Sequence, residues 1–171
     1  LNQDGTPILD AQGKPVPTYD QSDISEFARV FTGYTYANST TQTSAPGKQS
    51  PYYAAPMVPY TTTPTTGHDP NVKTLLNGTV LPAGQTGKQD IDAAVRNVFM
   101  HPNTGPFVAK QLIQRLVTGN PSATYVRDVA AVFANDGSGV RGNLAAVVKA
   151  ILLHPEARGG AKGASDFGQL R

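Results

Sequence analysis

The sequence contains no cysteine and no tryptophan, and only 2 methionines among 171 residues. Without cysteine, disulfides and thiolate-bound metals are excluded from this stretch; compartment is not decided, because many periplasmic proteins also lack cysteine. Charge is scarce too. Asp, Glu, Lys and Arg make up 15% of residues and the formal net charge is +2, too small a balance to imply an anionic partner. Lys and Arg never form a run of neighbours, so no nucleic-acid groove is expected. No apolar run approaches the roughly 20 residues that span a bilayer as a helix, and no transmembrane segment is expected here. The chain opens on Leu1-Asn2-Gln3 and stops at Arg171. It reads as a piece of a longer protein, so a missing export signal carries no information.

What is present fits a folded region about one domain long. Hydrophobic residues reach 39%, with 17 Gly and 14 Pro, which suggests a packed core accompanied by much irregular structure. Residues 1–33 read as an arm and a first helix. Asp4-Gly5 and Gln12-Gly13 are turn signals around Ile8-Leu9, giving a small hairpin or irregular arm. Ile24, Phe27, Ala28 and Phe31 then fall at helical spacing. Asp20 or Ser22 can cap that helix, and Gly33 sits where a left-handed residue would end it.

Residues 34–88 show no helical period and form a long loop rich in Thr, Pro and Tyr. Within it, Asn77-Gly78 between two apolar pairs signals a type I′ hairpin near 74–81. A loop this long inside a compact region is usually functional, disordered or draped over a partner.

Helical spacing returns in a four-helix region, 89–158, before a tail at 159–171. Helix two (about 89–100) carries Ile91, Ala94, Val95, Val98 and Phe99, with Asp90 and Asp92 near its positive end. Helix three (about 106–118) opens on Gly105-Pro106 and carries Phe107, Val108, Leu112, Ile113, Leu116 and Val117. Helix four (about 122–134) carries Tyr125, Val126, Val129, Val132 and Phe133. Helix five (about 143–153), capped by Asn143, carries Leu144, Val147, Val148, Ile151 and Leu152. Brief connections favour short antiparallel helices packed as a bundle, a mainly α fold with one or two small β-hairpins. Such a layer should lean on further chain of the same protein.

Two stretches resemble each other: "RNVFMHP" at 96–102 and "KAILLHP" at 149–155. Proline disfavours helical geometry in the residue before it, so His101 and His154 should mark where helices two and five stop. A histidine there can bond a free C-terminal carbonyl. Asn103 follows one copy and Glu156 the other, so no shared acid supports a paired active site.

The stretches "YDQSDISEFARVFTGYTY" and "HPNTGPFVAKQLIQRLVTGNPS", the second the more specific, closely resemble the C-terminal part of the bacterial domain-of-unknown-function family numbered 1800. The resemblance covers nearly the whole chain, least specifically in the Thr/Pro-rich segment. It implies a larger, mostly helical exported protein, hence a periplasmic or extracellular location. It also implies a possible partner, an exported protein resembling alkaline phosphatases and sulfatases. The family's N-terminal half is absent from this sequence, and no catalytic mechanism comes with the resemblance.

Candidate chemistry is thin. His68-Asp69, in a loop where sites often reside, is the acid–base or ligand candidate, although two ligands fall short of a metal set. Tyr34, Tyr36, Tyr52, Tyr53 and Tyr60 could form a stacking surface or anchor the loop. Gly137-Ser138-Gly139-Val140-Arg141-Gly142 matches G-x-G-x-x-G formally, but follows a helix where a dinucleotide site needs a strand. No cofactor and no metal is expected. The leading reading is a structural or binding component acting with a cell-envelope partner; the rival is a hydrolase or metal-dependent enzyme completed by the N-terminal part. The sequence does not decide whether the protein is an enzyme.

Overall fold

The computed structural model describes residues 1–37, 55–59 and 67–159. Tyr52, Tyr53, Tyr60 and the tail from residue 160 onward lie outside the described residues. The chain forms two compact units: Pro17–Met100, and Leu1–Val16 together with the chain from His101 onward.

In the first unit, α1 (Gln21–Val30) starts at Asp20. The Asp20 carboxylate accepts the N–H groups of Ser22 (2.7 Å) and Asp23 (3.1 Å), and the Asp23 carboxylate accepts the Asp20 N–H at 2.9 Å. This reciprocal capping satisfies donors that a helix start otherwise leaves unpaired. β1 (Tyr34–Thr35) pairs antiparallel with β2 (Val58–Pro59). β3 (Lys73–Leu75) pairs with β4 (Thr79–Leu81). Between these strands Asn77 (φ 57°) and Gly78 (φ 68°) are both left-handed, as a type I′ turn demands. α2 runs from Gly87 to Met100. Val30, Leu75, Leu81 and Ala94 form the core, flanked by Phe27, Ile91 and Ala93.

Both helices of this unit are rotated from the expected apolar stripes. Ile24 (49% exposed) and Phe31 (55%) of the α1 region face outward, as do Val95 (58%), Val98 (45%) and Phe99 (39%) of α2. The inward faces carry Glu26, Phe27, Arg29 and Val30 on α1, and Asp90, Ile91, Ala93, Ala94 and Asn97 on α2. The inward charges do not stand alone: a buried charge costs several kcal/mol unless paired, and in this orientation Arg29 meets Asp69, Asp90 meets Lys73 and Glu26 accepts the Thr74 N–H.

In the second unit, α3 (Thr104–Leu116), α4 (Ala123–Ala134) and α5 (Leu144–Leu153) pack on one another, and α6 (Pro155–Gly159) follows directly. Their core is Ala109, Ile113, Tyr125, Val126, Val129, Ala130, Phe133, Val147 and Ile151. Here the expected residues largely match, although Phe107, Leu116, Leu144 and Leu152 are exposed. The stretch 89–158 is thus divided between the units at His101, with α2 grouped with α1 and the hairpin. The N-terminal arm closes on a Leu9–Pro15 bridge.

The His-Pro pairs do end helices, but their imidazoles act forward. His101 Nδ1 accepts the Asn103 N–H (3.1 Å) and His154 Nδ1 accepts the Glu156 N–H (3.2 Å). The His101 and His154 carbonyls likewise accept from Thr104 and Ala157. Each histidine therefore caps the start of the next helix. With Nδ1 accepting, the ring hydrogen is on Nε2, and in His154 that nitrogen faces the Asp128 carboxylate at 3.5 Å and not a carbonyl of its own helix. The glycine-rich turn after α4 is filled by its own chain: Asp136 accepts from Ser138 and Val140 N–H groups, the Ser138 hydroxyl and the Asn143 amide.

Candidate functional site

His68 and Asp69 lie just before β3, between the C-terminal end of α1 and the start of α2. Two glycines allow this. Gly33 has φ 78°, and a Cβ there would stand 2.3 Å from the His68 backbone nitrogen. A Cβ on Gly87 would stand 2.9 Å from the Tyr34 ring and 3.3 Å from His68 Cγ. Tyr34 therefore belongs to the same cluster. Tyr36 is half-buried nearby in sequence.

Two linked ionic groups result. His68 Nε2 lies 2.8 Å from Asp90 Oδ2, which also receives the Lys73 ammonium at 2.7 Å. Lys73 and Asp90 are each only 1% exposed. The ammonium donates further to the carbonyls of Asp69 (2.5 Å) and Asn71 (3.0 Å). On the opposite side, His68 Nδ1 is 3.2 Å from the Thr32 carbonyl.

The second group begins at Asp69, whose Oδ2 accepts from Arg29 Nε at 2.7 Å while its Oδ1 accepts from Asn71. The same guanidinium reaches both oxygens of Glu26 (2.6 and 2.8 Å) and the Val72 carbonyl. Glu26 also accepts the Thr74 N–H. The Arg29 bond, aided by Asn71, holds the Asp69 carboxyl well below the usual carboxylate range. The Thr74 N–H, followed by Arg29, lowers that of Glu26. Arg29 is in turn raised by Asp69 and Glu26.

Both ring nitrogens of His68 are engaged by the chain, Nε2 by Asp90 and Nδ1 by Thr32; a general base would have to turn one of them toward substrate. Lys73 supplies at Asp90 the positive charge that a cation would supply. Among the described residues no three His, Asp or Glu side chains converge in a metal-binding arrangement, and none of their helices is long and apolar enough to cross a membrane.

Lys73, Asp90, Glu26 and Arg29 were not anticipated as a group. Lys73 did carry a signal, since it occupies the same inward strand register as Leu75. Asp90 alone read as a favourable charge near the helix start, which concealed its partners.

A different feature lies on the other face of α1. Tyr19, Ile24, Phe27 and Leu76, with Asp23, line an open depression of about 280 Å³. Tyr19 is 61% exposed and Ile24 49%, so the apolar rim is presented to solvent while Phe27 forms part of the floor.

A family model described as "Protein of unknown function (DUF1800)" matches residues 9–170. The chain belongs to the DUF1800 family. No curated protein and no solved structure gives a significant match. In this DUF1800 chain the most specific stretch, "HPNTGPFVAKQLIQRLVTGNPS", runs from the His101 cap through α3 to the Ser122 cap of α4. Its Gly105 lies against Phe133, where an added Cβ would be 3.4 Å from the ring. Ser122 accepts the Tyr125 N–H and bonds Glu156. The signature is accounted for by caps and a close helix approach.

Proposed function

We propose that this DUF1800 chain is a binding or scaffold part of a larger bacterial protein that acts outside the cytoplasmic membrane on a cell-envelope partner. The observation carrying this reading is the open apolar depression on α1, held from behind by the paired charges of Glu26, Arg29 and Asp69. Binding surfaces serve best when their side chains stand on rigid elements. The described polar cluster, by contrast, presents no disengaged acid–base group for hydrolysis. Export, and a partner resembling alkaline phosphatases or sulfatases, are supported by the family resemblance alone.

The test is chemical cross-linking of the full-length protein in intact cells, with the cross-linker placed at Ile24 or Tyr19. A specific envelope protein captured from these positions, and not from Lys149 on α5, is the expected result. A full-length protein that captures nothing there but hydrolyses phosphate or sulfate esters with a stoichiometric metal lost on His68→Ala would replace the binding role with a metal-dependent hydrolase.

A further inference from the structure

We propose that the depression on α1 docks a segment of a partner protein that presents one large apolar side chain flanked by Lys or Arg. This rests on the binding role just described and specifies its chemistry. The volume, about 280 Å³, falls just under the roughly 300–1,000 Å³ typical of small-molecule and cofactor sites. It suits a single anchoring side chain, and its open mouth leaves the flanking residues of a ligand outside.

The charge around the mouth selects those flanks. Asp20 and Asp23 lie in the α1 start beside Tyr19, and neither pairs with a Lys or Arg among the described residues. Their bonds go to backbone N–H groups of the capping box. The cations within reach of α1 are committed elsewhere: Arg29 to Glu26 and Asp69, Lys73 to Asp90. A ligand entering over Tyr19 and Ile24 thus meets the Asp23 carboxylate in the lining, with Asp20 next to Tyr19 in the chain, and no Lys or Arg among the described lining residues. The exposed Tyr19 ring offers a face on which an Arg or Lys can also rest. An acidic segment would meet repulsion from these carboxylates, and a purely aliphatic one would gain no ion pair from them.

The experiment uses the isotope-labelled full chain and two probes, acetyl-Arg-Leu-Arg-amide and acetyl-Glu-Leu-Glu-amide, titrated by NMR. The expected result is shifts concentrated in α1 and Leu76–Gly78, with the basic probe roughly threefold to tenfold tighter, as two exposed ion pairs allow. That preference should shrink with added salt. Ile24→Asp, at an exposed position whose spectrum reports an intact fold, should abolish binding of both probes. Asp23→Asn, which keeps the capping oxygen, should lower the charge preference.

Equal affinities for the two probes, shifts mapping elsewhere, or binding that survives Ile24→Asp would each overturn the proposal. So would methyl contacts from Ile24 or Leu76 to residues of the same chain, or concentration-dependent shifts without probe, which would assign the depression to self-coverage or self-association. Envelope cross-links unaffected by Ile24→Asp would leave the binding role standing and remove this site from it. Selective binding of the basic probe without any envelope capture would do the reverse.

Discussion

Removing the Lys73 ammonium isolates the energetic role of the buried pair. Lys73→Met keeps most of the side-chain volume and leaves the 1%-exposed Asp90 carboxylate facing only His68. Breaking a buried pair by deleting one partner costs about 3–5 kcal/mol, because the remaining charge stays desolvated. With a urea m-value of about 2 kcal/mol/M, the midpoint should fall by roughly 1.5–2.5 M. Asp90→Asn should be damaging for the same reason, because the buried ammonium then loses its anionic partner and keeps only neutral acceptors. The double variant removes both charges, so it should cost roughly 1–3 kcal/mol less than the sum of the single changes. Urea titrations followed by circular dichroism give the four values. Hydrogen exchange at α2 amides locates the loss in the Pro17–Met100 unit. If Lys73→Met lies within about 1 kcal/mol of the parent, or the double variant is strictly additive, the pair is not what fixes the rotation of α2.

Three further outcomes follow from individual contacts. Gly33→Ala and Gly13→Ala share nearly the same backbone angle (φ 78° and 77°), but only at Gly33 does the new Cβ strike backbone. Thermal unfolding should show about 1 kcal/mol lost at Gly13 from left-handed strain and a clearly larger loss at Gly33. Tyr125 donates to the Ile151 carbonyl at 2.7 Å, and burial, with Glu156, pushes its hydroxyl up to about 12. Its contribution should therefore persist up to pH about 10 and fade as pH rises toward 12. Tyr125→Phe should remove this step and cost about 1 kcal/mol. Asp69 and Glu26 are depressed in the folded state, so the unfolded chain takes up protons first as pH falls below about 4. Stability should decline from that point downward, and Asp69→Asn should flatten the decline while lowering stability at pH 7.

The second unit was the more legible in the sequence. On α4, Tyr125, Val126, Val129, Val132 and Phe133 were expected inward, and all are buried or partly buried there. Apolar periodicity decides a helix that meets only other apolar helices. In the first unit the same rule gave the correct helices and placed Phe27, Ile91 and Ala94 inward, but not Ile24, Phe31, Val95, Val98 and Phe99; the inward Glu26, Arg29 and Asp90 stand beside partners distant in sequence. Spacing within one helix carries no information about Lys73 or Asp69 in a neighbouring segment. The histidine caps failed for a related reason: proline marked the stop at His101 and His154, but the direction in which each imidazole bonds is set by the turn after it. For His68 the loop position was readable, and the engagement of both ring nitrogens was not.

The contact between Gly33 and His68 also bears on how freely the chain between them can vary. The two ends already touch, and closure of that segment is fixed by α1, β3 and α2 on the outside and by the β1–β2 pairing just inside its ends. Insertions, deletions or a grafted recognition sequence between residues 38 and 54 should therefore leave the helical framework folded. A recognition tag installed there is expected to leave the contact between Gly33 and His68 in place.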